Sequence, residues 1–322
     1  MLEQKKLLEL KPGEQIEHFF IVKKCEKKTS KTNTTYYTLE LSDNKSSMIS
    51  QVFNDSPICD TLIPGSIIKV RGCITTYQGN LQIKIDRIRL AIPEDGVEVK
   101  DFLRKSEKDL EDMKCEFINR IDKINNQFIK SLLKLVFNED DFDKFSNMPA
   151  GKAWHHSYIH GLLEHTLEII KICDLLADFH PEVNRDILIA GAMLHDYGKI
   201  EELSFDNMFE YTDKGKLLGH IVISAMKIDS IIKTIPDFPD ELKNCILHLI
   251  LSHQGKLEYA SPVVPKTLEA IILYHADELS AKTNAYKNAL ELEKNENSKW
   301  TKFIRLAETE LYAHNINGNI DD

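Results

Sequence analysis

The stretch Ile187-Leu188-Ile189-Ala190-Gly191-Ala192-Met193-Leu194-His195-Asp196-Tyr197-Gly198-Lys199 decides the reading of this chain. Its first eight residues are apolar, too compact a run for anything but a buried element. At its end a histidine and an aspartate stand side by side, followed by a glycine and a lysine. Adjacent nitrogen and oxygen ligands can seat a divalent metal, and a lysine three residues on can meet a phosphate oxygen. One such pair is weak evidence, so its meaning depends on ligands elsewhere.

Working outward, the same pattern recurs. His165 lies among Leu162, Leu163, Thr166, Ile169 and Ile170, on a helix expected to start near Ser157 and to carry His160 as well. His220 is expected to open a helix after Gly215-Lys216-Leu217-Leu218-Gly219. His253 ends the run Ile246-Leu247-His248-Leu249-Ile250-Leu251-Ser252, and Asp277 ends Ile271-Ile272-Leu273-Tyr274-His275-Ala276. A single buried histidine is usually a satisfied core residue. Four of them with two aspartates are costly to bury unless a shared partner satisfies them, because each unpaired buried polar group costs a few kcal/mol.

The totals bound the chain further. Its 322 residues, 42% hydrophobic and 29% charged, suit two domains with cores of their own. No apolar run nears the ~20 residues of a membrane span, and Met1-Leu2-Glu3-Gln4-Lys5-Lys6 is no signal peptide. Six scattered cysteines without a Cys-x-x-Cys pair argue for reduced thiols in a cytoplasm. The net charge of −10 is uneven: residues 1–100 carry 15 Lys+Arg against 13 Asp+Glu, the remainder 26 against 38. Only His18 precedes residue 155. A mildly basic front and an acidic, histidine-bearing body imply two domains with separate jobs.

The front hundred residues show short β-rich runs between turn signals: Ile16 to Lys24, Thr34 to Asp43, Met48 to Phe53, Ile67 to Thr76 and Leu81 to Leu90. Tyr77-Gln78-Gly79-Asn80 joins the last two as a hairpin. Lys23-Lys24 and Lys27-Lys28-Thr29-Ser30-Lys31 read either as part of a basic groove or as a solvated loop. Beyond Pro93-Glu94-Asp95-Gly96 helical periodicity takes over, with a stripe of Phe117, Ile118, Ile121, Ile124, Phe128, Leu132, Leu135 and Val136 fit for the core or for a partner helix. The expected fold is multi-domain: a small all-β OB-type barrel over residues 1–97 followed by an all-α domain over residues 98–322.

Tyr36-Tyr37-Thr38-Leu39-Glu40-Leu41-Ser42-Asp43 and Ile67-Ile68-Lys69-Val70-Arg71-Gly72 resemble OB-fold nucleic-acid-binding domains. Such barrels hold single strands on aromatic platforms beside a basic groove. The resemblance makes Tyr36, Phe53, Arg71 and Tyr77 candidate substrate contacts, with barrel packing as the alternative for each aromatic.

The order His…His-Asp…His…His…Asp resembles the HD superfamily of metal-dependent phosphohydrolases. That resemblance implies a first metal on His165, His195, Asp196 and Asp277. Asp196 would bridge to a second on His220 and His253. Nitrogen and oxygen ligands without sulfur suit manganese, iron, cobalt, magnesium or zinc alike; with the resemblance, two ions are expected, manganese the first choice. Asp196 and Lys199 are the expected catalytic residues, the lysine neutralising a phosphate oxygen. His155 and His156 are candidate phosphate contacts or proton donors.

Read together, the two domains resemble the YhaM-type 3′→5′ exoribonucleases of Gram-positive bacteria. Pro149-Ala150, His155-His156, Gly161-Leu162-Leu163-Glu164-His165, Tyr211-Thr212, Gly215 to His220 and Leu251-Ser252-His253-Gln254-Gly255 carry this likeness. It implies a cytoplasmic, metal-dependent exoribonuclease that shortens single-stranded RNA, with single-stranded DNA as a further substrate, to nucleoside monophosphates. The alternatives are an HD nucleotide phosphohydrolase or cyclic-nucleotide phosphodiesterase, and a non-catalytic single-strand-binding protein. One departure stands out: the family usually has His-His-Gly where this chain has His253-Gln254-Gly255. If the second histidine of relatives binds metal, the second site is weaker here; if it touches substrate, little changes.

Overall fold

The computed structural model describes residues 4–30, 33–52, 57–77, 79–152, 155–204, 209–292, 299–305 and 307–313. The chain divides into two compact units, residues 1–105 with 205–210, and residues 106–204 with 211–322.

The first unit is a closed five-stranded barrel. Its strands are β1 (Gln15–Thr29), β2 (Thr35–Ser42), β3 (Ser47–Val52), β4 (Ile67–Tyr77) and β5 (Asn80–Leu90). They pair in the order β1-β2-β3-β5-β4, with β4 returning to β1. Every pairing is antiparallel except β3 with β5, which close the barrel in parallel through Ser50↔Ile83 and Gln51↔Lys84. Alternation along β2 drives the fold: Tyr37, Leu39 and Leu41 turn inward and pack with Phe20, Val22, Ile68, Val70, Ile74 and Ile83. The Tyr37 hydroxyl reaches the barrel rim and donates to Asp60 Oδ1 at 2.7 Å.

β1 runs on to Thr29, beyond the expected end at Lys24. Its polar extension pairs with β2 from Lys24↔Glu40 to Thr29↔Thr35. Lys23, Lys24, Lys27 and Lys28 are therefore strand residues, and the Lys27 ammonium lies 5.2 Å above the Tyr37 ring. Backbone pairing and polar side-chain contacts such as Lys27 with Asp60 hold this stretch, so it shows no hydrophobic alternation.

The second unit is helical. Its helices are α1 (Leu110–Asp122), α2 (Gln127–Val136), α3 (Glu139–Asn147), α4 (Gly161–Phe179), α5 (Arg185–Leu194), α6 (Lys199–Glu202), α7 (Asp213–Ile232), α8 (Asp240–Ser252) and α9 (Leu268–Leu292). Short polar side chains start them: Asp109, Asn126, Asn138, Asn184 and Thr212 each accept from a backbone N–H of the first turn. The stripe of residues 117–136 belongs to two helices, broken between Asp122 and Gln127. Phe117, Ile121, Ile124, Leu132 and Val136 are buried in the unit's own core, while Ile118 and Leu135 face outward.

Two local expectations are corrected. α4 starts at Gly161, not near Ser157, because His160 takes a left-handed conformation (φ 69°) and stands before the helix with its Nδ1 donating to Ser146 O. His220 does not open α7, which begins at Asp213. It follows a kink at Gly219 (φ 70°, ψ 155°), a backbone state open to glycine at little cost.

Candidate active site

Five helices bring the ligand-type residues together. His165 sits in the second turn of α4, His195 and Asp196 follow the last turn of α5, and His220 follows the kink in α7. His253 ends α8, and Asp277 lies in α9. Two groups result, His165 with His195 and Asp277, and Asp196 with His220 and His253. Within each, the ligand atoms lie within 4.8 Å of one another.

Asp196 joins the two. Its Oδ2 lies 3.3 Å from His195 Nε2 and 3.8 Å from His165 Nε2. Its Oδ1 lies 3.3 Å from His220 Nε2 and 3.7 Å from His253 Nε2. Each carboxylate oxygen thus addresses a different group. Asp277 Oδ1 stands 3.1 Å from His165 Nε2.

The other nitrogen of each ring explains why Nε2 points inward. His195 and His253 end buried helices, where carbonyls lack partners, and their Nδ1–H groups donate to Ala192 O (2.9 Å) and Ile250 O (2.7 Å). His165 Nδ1 donates to Ser280 Oγ (3.0 Å), whose hydroxyl donates to Glu168 (2.9 Å). Glu202 Oε1 accepts from both the backbone N–H and the Nδ1 of His220. Each ring is held in the tautomer that leaves Nε2 a lone pair, as metal-binding histidines require.

The donor set fits divalent ions. The Nε2 atoms of His165, His195 and His220, together with Asp196 Oδ1, are buried and make no aligned hydrogen bond among the described residues. Such orphans are expensive unless something outside the protein occupies the space between them. The supporting contacts give a direct check. Glu202→Ala should weaken binding at the His220/His253 group by about 10–100-fold, read by titrating the apoprotein with Mn²⁺. Unchanged affinity would separate Glu202 from the site.

Lys199 is buried rather than a surface cap of α6. Its ammonium donates to Asp196 Oδ2 (2.6 Å) and to Ala150 O. Burial opposes its charge, but Asp196 outweighs burial and raises its pKa. Burial likewise opposes ionisation of Asp196, yet Lys199 and His195 hold its carboxyl well below the usual range. The pair is a fixed cation against a fixed anion.

The two preceding histidines differ in placement. His155 lines the cleft, and burial with the nearby Lys199 depresses its pKa to about 3. At neutral pH it carries no spare proton, so it offers a neutral N–H rather than an acid. His156 is fully buried and faces Tyr158 (2.9 Å) and Glu168 (3.4 Å) instead of the cleft. Burial and His195 lower His253 to about 4.

These shifts set an acid limit. For His155 and His253 the folded pKa lies below the ordinary 6.5, so protons favour the unfolded chain. Their contribution to stability is complete above pH 6.5 and is lost as pH falls through about 4 and then about 3. His195 is raised and works in the opposite sense, but burial lowers His165 too. With chelator present, the melting temperature should therefore fall steadily from pH 6.5 to pH 4; a flat profile would contradict this.

A cleft of ≈ 570 Å³ opens on the cluster, lined by His155, Asp196, Lys199, His253, Gln254 and Asp277 and, farther along, by Tyr259, Tyr274, Glu278, Ala281, Lys282 and Tyr286. Gln254 donates its amide to His253 Nε2 at 3.3 Å and lies outside both ligand groups. The sequence reading missed this tyrosine-rich wall. Its signal was the helical spacing of Tyr274, Asp277, Ala281 and Tyr286, which also suits a buried stripe. It missed Glu168, Glu202 and Ser280 as well, which act through the histidines.

On the barrel, Tyr37 rather than Tyr36 points into the core, and Tyr36 is part-buried on the opposite face of β2. Tyr77 is 57% exposed at the end of β4. Phe53 lies outside the described residues. Arg71 is exposed in a basic groove with Lys69, Arg87, Arg89 and Glu17. Register places Glu17, Arg71 and Arg87 side by side across β1, β4 and β5. Lys69 pairs with Glu17 at 2.9 Å and Arg89 grips Asp95 with two bonds of 2.7 Å. Adjacent cations on neighbouring strands repel unless an anion lies over them.

Residues 162–282 match the HD domain. The chain is 35% identical over 280 residues to the 3'-5' exoribonuclease YhaM of Geobacillus sp. (strain WCH70), covering 87% of this chain and 86% of that one. A crystal structure of a domain of replication protein A from Methanococcus maripaludis is 27% identical over 27% of this chain and 92% of that domain, with a TM-score of 0.23. The solution structure of the second OB-fold domain of replication protein A from the same organism is 23% identical over the same shares, with a TM-score of 0.22. With a barrel ahead of an HD domain and this extent of likeness, the chain belongs to the YhaM 3'-5' exoribonuclease family.

Proposed function

We propose that this protein is a metal-dependent 3′→5′ exoribonuclease that hydrolyses single-stranded RNA, and secondarily single-stranded DNA, to nucleoside monophosphates. The observation that carries the reading is Asp196, whose two oxygens address two separate groups of inward-facing ligands. In this reading His165, His195, Asp196 and Asp277 hold one divalent ion. Asp196, His220 and His253 hold a second. Manganese is the first choice at both, and Gln254 contacts substrate rather than metal.

When bound, the ions supply Lewis acidity toward the scissile phosphodiester and lower the pKa of the attacking water. The protein's own groups do the rest. Lys199 holds a positive charge at the cleft beside Asp196, placed to offset charge growing on a phosphoryl oxygen. His155 offers a neutral N–H to the phosphate. The fixed histidine tautomers keep the ligand lone pairs aimed inward without reorganisation.

Residues 1–97 serve as the strand-holding unit and residues 98–322 as the cutting unit. All six cysteines are free thiols, which agrees with a cytoplasmic location. No helix of the described residues is long and apolar enough to cross a membrane. Arg71 and Arg87 are proposed phosphate contacts. Changing both to glutamine should weaken binding of single-stranded RNA and flatten its log–log salt dependence by about 0.7 per lost contact. An unchanged slope would remove the groove from the binding surface.

The deciding experiment incubates 3′- and 5′-labelled single-stranded RNA with Mn²⁺. The 5′-labelled strand should shorten in a ladder while the 3′ label leaves at once as mononucleotide. RNA left intact beside turnover of free nucleotides would instead favour a nucleotide phosphohydrolase.

A further inference from the structure

The cleft beside the ligand cluster continues well past the groups needed to cut a phosphodiester. From Asp277 it follows α9 through Glu278, Ala281, Lys282 and Tyr286. Glu278, Lys282 and Tyr286 recur every four residues and share one side of the helix, with Asp277 and Ala281 on the adjoining side. Across from them stands Tyr259, at the end of a 3-10 turn (Leu257–Tyr259). The volume of ≈ 570 Å³ is within the range of small-ligand sites.

The aromatic side chains of this wall are not equivalent. Tyr274 is buried, and its ring lies against Gly255 so closely that no Cβ would fit there. It supports the turn after His253. Tyr259 is 50% exposed, with the Lys256 ammonium 5.1 Å over its ring. Tyr286 is part-buried. Tyr259 and Tyr286 therefore present ring surface to a cleft that begins at the proposed cutting site. The small Ala281 leaves room beside them. Lys282 is exposed and pairs with Glu278 at 2.7 Å, which keeps a positive charge at the mouth of the cleft.

We propose that Tyr259 and Tyr286 form the pocket for the base of the 3′-terminal nucleotide, the one released at each cut. This rests on the exoribonuclease reading and names its substrate subsite. Stacking suits digestion of mixed sequence, because every base has a face to stack and no base edge need be read. The pocket seats the end of the strand so that the last phosphodiester meets Asp196 and Lys199. Tyrosine hydroxyls are not required for this role; the rings are.

The test compares two short single-stranded RNAs, one natural and one whose 3′-terminal residue lacks its base. Wild-type enzyme with Mn²⁺ should show kcat/KM about tenfold higher on the natural strand, the size expected for one stacked base. Tyr259→Leu and Tyr286→Leu, which keep bulk but not the ring, should each pull that ratio toward one, chiefly through KM. Tyr259→Phe and Tyr286→Phe should keep it. Thermal melting checks that each variant folds, and the phenylalanine pair carries the test if a leucine variant does not. Leucine variants that retain the wild-type ratio, or phenylalanine variants that lose it, would overturn the proposal. A wild type that cuts both strands equally would overturn it too while leaving the exoribonuclease reading intact. A wild type that cuts neither strand would bring down both.

Discussion

Asp196→Ala should lower RNA hydrolysis by about 10³-fold or more, because several kcal/mol of charge stabilisation depends on this one carboxylate. Among the described residues it is the acidic group that joins the two ligand sets, with Oδ2 toward His195 and His165 and Oδ1 toward His220 and His253. Alanine also leaves the Lys199 ammonium buried with Ala150 O as its remaining partner. An unpaired buried charge costs about 3–5 kcal/mol, so part of any loss could come from unfolding. Asp196→Asn separates the two effects. It keeps an oxygen for Lys199 and the same volume but removes the charge, so activity and bound metal should fall while the melting temperature changes less than in the alanine variant. Turnover of labelled RNA and metal content on the same sample check this. Activity near wild type in the asparagine variant would contradict the assignment.

Gly198→Ala is the second large effect, and it acts from outside the ligand set. A Cβ at this position would lie 2.3 Å from His220 O and 2.8 Å from Ser224 N. Both are backbone atoms of α7, so no side-chain rotation relieves the clash. The Gly198 N–H also donates to Ser224 Oγ at 2.7 Å, tying the two segments together. Separating them moves His220 away from Asp196 Oδ1. Overpacking of this kind costs about 1–3 kcal/mol, and a ligand displaced by an ångström can cost about 10²-fold in rate. The expected result is a modest fall in melting temperature, a hundredfold fall in kcat and weaker binding of the second metal equivalent. A variant with full activity would show that the close approach of Gly198 to α7 does not position His220.

Much of this was legible because the signals are local. Tyr37, Leu39 and Leu41 alternate, and alternation fixes a strand face without knowledge of its neighbours. The ligand-type residues stand out because apolar runs ending in histidine recur at His195 and His253, where a buried helix terminus needs a donor for its last carbonyls. What was hidden depends on contacts distant in sequence. The extension of β1 to Thr29 is held by pairing with β2, which leaves no hydrophobic trace. His160 and Gly219 adopt left-handed backbone that propensity does not announce. Glu202 meets His220 across 18 positions and Ser280 meets His165 across 115. His156 was read as facing the substrate side, but the fold buries it against Glu168; Lys199 lines the cleft and is tied there to Asp196.

The most direct measurement is anomalous diffraction at the manganese edge from crystals of the wild-type protein grown with Mn²⁺. The account predicts two peaks, separated by about 3.5–4 Å, one beside His165, His195 and Asp277 and one beside His220 and His253, with Asp196 between them. A single peak, or a pair that does not flank Asp196, would contradict it.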